Sequence, residues 1–207
     1  LPYYDNRVLV GKFPAMLARV VAPDGRGATL HRTYLQGGHK APVSAPKKLM
    51  AGKPVAGAAV RLFPTGESLG IAEGLETALA AAQLFSVPVW SCISAAGMQS
   101  FEPPEGVREL VIFGDHDSNF VGQAAAYAAA HRLKRRGLAV TVRIPSTAGD
   151  WLDQLSAEAG RRDAGNCRDV LRELSVVGEC STARRDVPAT LRDDAKTGAG
   201  KSVDVPC

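Results

Sequence analysis

Between residues 69 and 160, short continuous apolar runs alternate with longer runs that have helical spacing. The short runs are typical of buried strands: "LGIAE", "VPVWSCI", "ELVIFGD" and "LAVTVRIP". The longer ones, "LETALAAAQLF", "GQAAAYAAAHRLKRRG" and "GDWLDQLSAEAG", have the spacing of amphipathic helices. Strands separated by helices of this length predict a mostly parallel sheet whose two faces are covered by helices.

The chain before this region has a different pattern of apolar and polar residues. Two partly alternating runs in "MLARVVAPDGRGATLHRTYL" flank the turn signal Pro23-Asp24-Gly25 and predict a β-hairpin. The basic segment "GGHKAPVSAPKKLMAGKP" that follows shows little regular pattern and is predicted to be a loop. After Gly160 the chain turns polar, with one more helix predicted within "RRDAGNCRDVLRELSVVGEC" and a tail beyond it. We therefore predict an α/β fold in three segments: a β-rich basic subdomain (1–66), a Rossmann-like domain (67–160) and a C-terminal helix with a disordered tail (161–207).

Composition narrows the class of protein only a little. A chain of 207 residues with 45% hydrophobic residues suffices for one sizeable core, and the net charge of +4 mildly favours a polyanionic partner. The four cysteines show no CxxC spacing, so we expect free thiols in a reducing compartment and a cytoplasmic location. No apolar run approaches the ~18 residues of a membrane span, and we expect no membrane partner. Because the chain begins with Leu1, we expect it to be part of a longer protein.

Three carboxylates follow predicted strands at the point where each strand ends. Glu73 ends "LGIAE", and Asp115 and Asp117 come directly after "ELVIFG". Ligands of open parallel sheets bind beyond the carboxyl ends of the strands, so these side chains would meet if the two strands are neighbours. Clustered carboxylates repel each other and need a proton or a cation between them, and Mg²⁺ prefers oxygen ligands. We expect the three to converge on one divalent cation.

Simpler roles are open for several acidic residues. Asp115 or Asp117 alone would be an ordinary cap for the next helix. Asp150 and Asp153 fit a helix cap and an exposed helix face as well as they fit a metal site. Glu76 stands in the first turn of a helix, where negative charge is favourable. His116, between the two aspartates, should point away from them and be structural.

"LGIAEGLETALAA" followed about forty residues later by "LVIFGDHDSNFVGQ" resembles the two signature motifs of the TOPRIM domain of topoisomerases and primases. Glu73-Gly74 matches the first motif, and Asp115, Asp117 and the following Gly122 match the second. The resemblance is closest to the primases of phages, plasmids and integrative elements. It extends upstream through "LHRTYL", "HKAPV", "PKKLM" and "GAAVRLF", so it covers about residues 5 to 158.

This resemblance implies phosphoryl transfer on nucleic acid. In the family the acidic cluster binds Mg²⁺ or Mn²⁺ and positions a nucleoside triphosphate and the attacking 3′-hydroxyl. Glu73 would be a ligand or general acid/base, Asp115 and Asp117 ligands, and Asp150 and Asp153 a weaker third acidic motif. The segment before the domain provides a basic surface for single-stranded DNA template and triphosphate in the family. The candidates for those contacts here are Arg32, Lys40, Lys47, Lys48 and Arg61. Relatives also carry a zinc-binding module and often a helicase, in the same chain or as partners.

Three functions are thus open. The resemblance favours the catalytic core of a DNA-dependent primase that makes short primers for a mobile element. A metal-dependent nuclease or strand-transfer enzyme and a non-catalytic nucleic-acid-binding module are the alternatives. No tyrosine stands in a recognisable nucleophile context, which argues against a topoisomerase. The basic end of "HRLKRRG" is explained by a solvated helix terminus, and "KTGAGKS" lacks the first glycine of a P-loop.

Overall fold

The computed structural model describes residues 1–162 of the chain. Its strands are β1 (Pro2–Asp5), β2 (Val8–Lys12), β3 (Ala15–Val21), β4 (Gly27–Gln36), β5 (His39–Lys40), β6 (Lys47–Leu49), β7 (Ala59–Val60), β8 (Ser68–Ala72), β9 (Val89–Ser91), β10 (Glu109–Phe113) and β11 (Ala139–Arg143). Its helices are α1 (Leu75–Phe85), α2 (Ala95–Ser100), α3 (Val121–Lys134) and α4 (Trp151–Arg162). The predicted C-terminal helix and tail, together with Cys167, Cys180 and Cys207, lie outside the described residues, whereas Cys92 is a buried free thiol.

One large mixed sheet forms the frame of the molecule. Its strand order is β11-β10-β8-β9-β7-β3-β4-β5, with β6 also paired to β4. The first four strands of this order are parallel to one another, and we call them the parallel half. From β7 onward every pairing is antiparallel, and we call that part the antiparallel half. The predicted α/β fold with a β-rich N-terminal part is confirmed.

Helices cover both faces of the parallel half because its central strand β8 is buried on both sides, whereas one side of the edge strand β11 is exposed. Leu69 and Ile71 of β8 join a core with α2 and α3, whereas Ala72 faces the core that α1 and α4 cover. The tightest point is Gly70, where a Cβ would lie 2.7 Å from the Val89 side chain and 2.9 Å from the Phe113 ring. A side chain there would push the Phe113 ring out of its place beside Trp151.

Two expectations are corrected, one in each half of the sheet. The hairpin around Pro23-Asp24-Gly25 is present as β3 and β4, but the basic segment after it is not a plain loop. Its residues 39–40 and 47–49 form the short strands β5 and β6 on β4. The prediction of a loop was wrong there because these strands exist through pairing with β4 rather than through any pattern of their own. The helix α2 was also missed, since its six residues are too few to show a helical period.

The two halves meet at a narrow seam. The two-residue strand β7 joins β3 on one side and pairs with β9 through Val60 and Ser91 on the other. The Arg61 guanidinium lies over the Trp90 ring at 4.9 Å from its centroid and donates to the Ala22 carbonyl at 3.0 Å. The seam therefore fixes the basic strands of one half beside the carboxyl ends of the other. In the part of the chain that the structure describes, no helix has the length and apolarity needed to cross a membrane.

Candidate active site

The carboxyl ends of β8 and β10 lie side by side. The two strands are parallel neighbours in register, with Ala72 opposite Phe113. The chain after each strand therefore leaves the sheet at the same edge, which places Glu73 and the Asp115–Asp117 segment together. The condition that these two strands be neighbours is met, and we call this group of three carboxylates the acidic edge.

Glu73 is half-buried and held from two sides. Its backbone carbonyl accepts a hydrogen bond from the Ser91 hydroxyl at 2.9 Å. Its carboxylate is bonded by the backbone N–H of Ala95, in the first turn of α2. Burial, and then the charge of Asp117, raise the pKa of Glu73, while the Ala95 N–H and the Lys47 charge oppose the rise. None of the ion pairs within residues 1–159 includes this carboxylate.

Asp115 is the most perturbed acid of the edge. Burial raises its pKa to about 7, and the charges of Glu73, Asp150 and Asp117 contribute in that order. The Thr77 hydroxyl, from the first turn of α1, lies 3.4 Å from its Oδ1 and opposes the rise in pKa. None of the ion pairs formed within residues 1–159 includes an acidic-edge carboxylate. The negative charge there has no cationic partner in contact.

Asp117 both faces the site and caps α3. Its Oδ2 accepts the backbone N–H of Gly122 at 3.0 Å, and the Gln123 amide bonds both the N–H and the carbonyl of Asp117. A Cβ on Gly122 would lie 2.9 Å from Asp117 Oδ2 and 3.0 Å from the Asp115 carbonyl. The second signature motif thus needs glycine here for space. The capping role and the metal-site role expected of Asp117 are compatible.

Asp150 and Asp153 form a capping box at the start of α4. Asp150 Oδ1 accepts the N–H groups of Leu152 at 2.8 Å and Asp153 at 3.0 Å, while Asp153 Oδ2 accepts the Asp150 N–H at 3.0 Å. The charge of Asp150 reaches the acidic edge, because it raises the pKa of Asp115. Asp153 is turned toward the Asp150 backbone. A cap is therefore the observed role of both residues, and Asp150 is the one near the edge.

His116 connects the acidic edge to the loop before α4. Its backbone forms a two-hydrogen-bond bridge with Gly149, and its Nδ1 lies 2.9 Å from the Pro145 carbonyl oxygen. The side chain thus leaves the two aspartates, as expected from the alternation of an extended segment. This bridge brings Asp150, the next residue after Gly149, toward Asp115.

The acidic edge is not a closed metal cage. Within the described chain, no three His, Cys, Asp or Glu side chains are placed to hold one metal ion together. The expectation that Glu73, Asp115 and Asp117 converge on a common cation is therefore not met as a ready three-ligand site. Mg²⁺ usually takes one or two carboxylates and completes its shell with waters and substrate phosphates. Uncompensated, mutually repelling carboxylates of this kind fit such an ion.

Two lysines of the antiparallel half form ion pairs with Glu76 in the first turn of α1. Lys40 Nζ lies 3.0 Å and Lys47 Nζ 2.9 Å from the two carboxylate oxygens of Glu76. Against the opposing effect of burial, hydrogen bonds and charge from these lysines lower the pKa of Glu76 to about 2. Lys47 also lies 3.9 Å from the position of a Cβ on Gly74 and opposes the raised pKa of Glu73. Lys47 is thus the predicted basic residue that the structure brings nearest to the acidic edge.

The other predicted basic residues have partners of their own. Lys48 lies over the Tyr3 ring at 4.0 Å from its centroid and donates to the Tyr4 carbonyl. Arg32 reaches the Leu49 carbonyl at 3.5 Å, and Arg61 contacts Trp90 at the seam. Their role in nucleic-acid binding stays a prediction.

Sequence reasoning missed a cleft beside the acidic edge. It has a volume of about 390 Å³ and lies between β6 and α2, lined by Lys47 and Lys48, the hydroxyl residues Ser94 and Ser100, and apolar side chains. His31 also lines it, is only 5% exposed, and has no hydrogen-bond partner at Nδ1. Ile93 in its wall has φ 73°, a left-handed conformation that β-branched residues rarely adopt. Lys47 and Lys48 are among the binding residues predicted from the sequence, but the cleft between them and α2 depends on the packing of distant segments, for which a single sequence carries no signal.

Comparison with known domains divides the chain in two. Residues 68–160 match the family described as Toprim domain, and residues 1–62 match a domain of unknown function (DUF7146). No curated protein matches the sequence.

Solved structures match across both halves. A DNA primase domain from Pseudomonas aeruginosa has a TM-score of 0.51 at 14% identity, covering 78% of this chain and 54% of that one. The DnaG primase catalytic domain bound to ssDNA has a TM-score of 0.52 at 13% identity, covering 72% and 49%. The zinc-binding and RNA polymerase domains of the Aquifex aeolicus primase have a TM-score of 0.50 at 14% identity, covering 72% and 39%. The chain spans about half the length or less of these structures, and the likeness is one of fold.

Proposed function

We propose, for a chain whose residues 68–160 are a Toprim domain, that the acidic edge is a centre of metal-dependent nucleotidyl transfer. In this proposal the protein is the catalytic core of a DNA-dependent primase, and it makes short primers on single-stranded DNA for a mobile element in the cytoplasm. The 3′-hydroxyl of one nucleotide attacks the α-phosphorus of a nucleoside triphosphate, a phosphodiester forms, and pyrophosphate leaves.

One observation carries the proposal. Glu73, Asp115 and Asp117 crowd the carboxyl ends of two neighbouring parallel strands without a contacting cation, while Lys47 approaches from the antiparallel half. A structural role would favour pairing or neutralising such charges, since burial without a partner is unfavourable. A centre that binds a metal cation and a polyphosphate needs carboxylates that are not already paired with a basic side chain.

The residues divide into distinct roles. Asp115 and Asp117 would hold Mg²⁺ or Mn²⁺, with Glu73 as a further ligand or as the acid/base that moves the 3′-hydroxyl proton, and with Asp150 close by. A bound divalent ion neutralises charge on the transferred phosphoryl group and aligns the attacking and leaving oxygens. Asp117 keeps its orientation through the Gly122 N–H, and Asp115 through Thr77. The carboxylates are thus preorganised by the protein before any ligand arrives.

The basic face of the antiparallel half would bind the substrates. Lys47 and Lys48 line the cleft beside Glu73 and suit triphosphate or template phosphates. Lys40, Arg32 and Arg61 extend the same positive surface in this proposal. A zinc-binding module and a helicase, in the same chain or separate, would deliver the single-stranded template.

The test is primer synthesis on single-stranded DNA with labelled nucleotides and Mg²⁺ or Mn²⁺, in a chain of at least residues 1–207. Asp115→Ala should lower product formation by about a hundredfold or more, because several kcal/mol of charge stabilisation depend on the ion. Glu105→Ala is the matched control, since Glu105 is an exposed acid in the loop before β10. It should leave synthesis unchanged.

The other outcomes separate the alternatives. Template cleavage that needs no nucleotides and is lost in Asp115→Ala would make the protein a nuclease. Binding of DNA with neither reaction, in all variants, would make it a passive binding module. Full primer synthesis by Asp115→Ala would end the assignment of the acidic edge.

A further inference from the structure

The outward face of α3 is apolar and aromatic although it is exposed. Phe120, just before the helix, is 66% exposed, and Tyr127 within it is 59% exposed. In the described chain, α3 is the helix that carries large exposed apolar side chains, the others being on strands or in loops. Exposed aromatic groups of this size are typical of binding surfaces rather than of plain solvated helices.

Positions 120 and 127 lie on one side of the helix axis, and both rings are exposed there. They are seven residues apart, which is about two turns and ~10 Å along the axis. Ala124 lies between them on the same side and is exposed. His131, Lys134 and Arg135 continue that side to the end of the helix, and all are exposed. We call the six residues Phe120, Ala124, Tyr127, His131, Lys134 and Arg135 the aromatic track.

The track starts at the acidic edge and ends in positive charge. Phe120 is three residues after Asp117, and its N–H donates to the Asp117 carbonyl at 3.1 Å. The helix contains no acidic residue. Arg132 and Arg136 are engaged with Glu102, whereas Lys134 and Arg135 form no ion pair within residues 1–159. Two cations therefore remain available at the far end of the track.

Phe120 also breaks a local rule. It occupies the N-cap of α3 with φ 61° and ψ 13° and makes no side-chain capping bond. Asn, Asp, Ser or Gly would suit that position better, because a bulky residue is strained in the left-handed region. Residues that are strained without a visible benefit to the fold are found most often at functional sites, and Phe120 is such a residue.

We propose that the aromatic track binds single-stranded nucleic acid, with Phe120 and Tyr127 stacking on bases and Lys134 and Arg135 contacting phosphates. Aromatic side chains beside free cations are the combination that recognises single strands without sequence preference. The ~10 Å between the rings spans roughly three stacked base steps. The proposal rests on the proposed function in taking single-stranded DNA as the ligand, and it adds a path by which the strand reaches the acidic edge.

The test is fluorescence anisotropy with a labelled thymidine 20-mer in EDTA, so that catalysis plays no part. Phe120→Ala with Tyr127→Ala should weaken binding by about tenfold or more, since each stacked base contributes substantially. The pair Phe120→Tyr with Tyr127→Phe keeps both rings and should bind like the wild type. The pair Phe120→Leu with Tyr127→Leu keeps apolar area but should bind like the double alanine variant. An abasic 20-mer should bind wild type and double alanine variant alike.

Each other outcome has a definite meaning. Equal binding of the thymidine strand by wild type and double alanine variant overturns the track while the proposed function stands. No binding of single-stranded DNA by the wild type removes the proposed function itself. If the double alanine variant turns a wild-type dimer into a monomer in light scattering, the face is an interface with a second copy and the track is wrong. Unchanged thermal unfolding of the variants excludes loss of fold as the cause of weaker binding.

Discussion

Glu73 and Glu76 are three residues apart, just before and just after the start of α1, yet their carboxylates have opposite electrostatic surroundings. Glu76 is paired with Lys40 and Lys47 across the seam, and its pKa falls to about 2. Glu73 and Asp115 have no contacting cation, and their pKa values rise. The first group connects the two halves of the sheet, and the second keeps negative charge ready for a ligand.

The difference shows how to separate structure from function among neighbouring acids. A paired carboxylate stabilises the fold above its titration range, whereas an uncompensated one destabilises the fold at the pH where it ionises. Removing a charge should therefore lower the free energy of unfolding in the paired group and raise it in the uncompensated group. The following predictions begin with the largest expected effect.

The strongest test removes the geometry of the acidic edge without changing any carboxylate. Gly122→Ala would place a Cβ 2.9 Å from Asp117 Oδ2 and 3.0 Å from the Asp115 carbonyl. We expect primer synthesis to fall by about a hundredfold or more and the free energy of unfolding to fall by about 1–3 kcal/mol. Primer assays and denaturant unfolding measure the two effects. Gly66→Ala, in the exposed loop before β8, outside the left-handed region and with open space around it, is the control for a glycine substitution outside the site and should change neither measurement.

The contradicting outcome for Gly122→Ala is full activity. In that case the hydrogen bond from Gly122 to Asp117 would not be what orients the second signature motif, and only the cap of α3 would depend on it.

The largest effect in the paired group is expected from Glu76→Gln, which keeps the shape and removes the charge from both lysine contacts. Because the folded pKa lies below the ordinary value of 4.5, this charge contributes stability above pH 4.5 and loses it as the pH falls toward 2. We expect the variant to be less stable by about 1–2 kcal/mol at pH 7, after allowance for partial exposure, and equal to the wild type near pH 2. Urea unfolding at several pH values measures this. A constant difference at all pH values would place the cause in packing.

The opposite sign is expected for Asp115→Asn in EDTA. Its folded pKa is about 7 and its ordinary value is 3.8, so between these pH values the unfolded state has given up a proton that the native state still holds, and the wild type loses stability as the pH rises from about 4 to 7. Asparagine never ionises, and we expect the variant to be more stable by about 1–2 kcal/mol at pH 8, with no gain near pH 3. The same unfolding series measures it. A loss of stability at pH 8 would mean that the Asp115 charge is compensated in solution and would break the contrast with Glu76.

The parallel half was more predictable than the antiparallel half. The run "LETALAAAQLF" coincides with α1, and "ELVIF" with β10, because long periodic helices and buried strands are defined by their own residues. Strands β5 and β6 depend on the edge of β4, which lies elsewhere in the chain. The positions of Glu73, Asp115 and Asp117 at one edge follow from strand order. The sequence pattern does not contain side-chain directions. It therefore could not predict that these three carboxylates form no ready three-ligand metal site, or that Glu76 pairs with Lys40 and Lys47.

The smallest effect is expected from the backbone strain at Phe120, close to the acidic edge. The paired residues Glu76, Lys40 and Lys47 have no such strained backbone angle. Phe120 has φ 61°, where glycine is unstrained, and its ring is mostly exposed. Phe120→Gly should therefore remove strain at little loss of packing and raise the free energy of unfolding by up to about 1 kcal/mol. The same substitution should weaken binding of single-stranded DNA, because the ring is gone. Ser86→Gly, at a C-cap with φ 52°, is the matched control: it should gain similar stability without changing DNA binding. If Phe120→Gly lost stability, the ring would be supporting the fold, and the strain at this position would have a structural explanation instead.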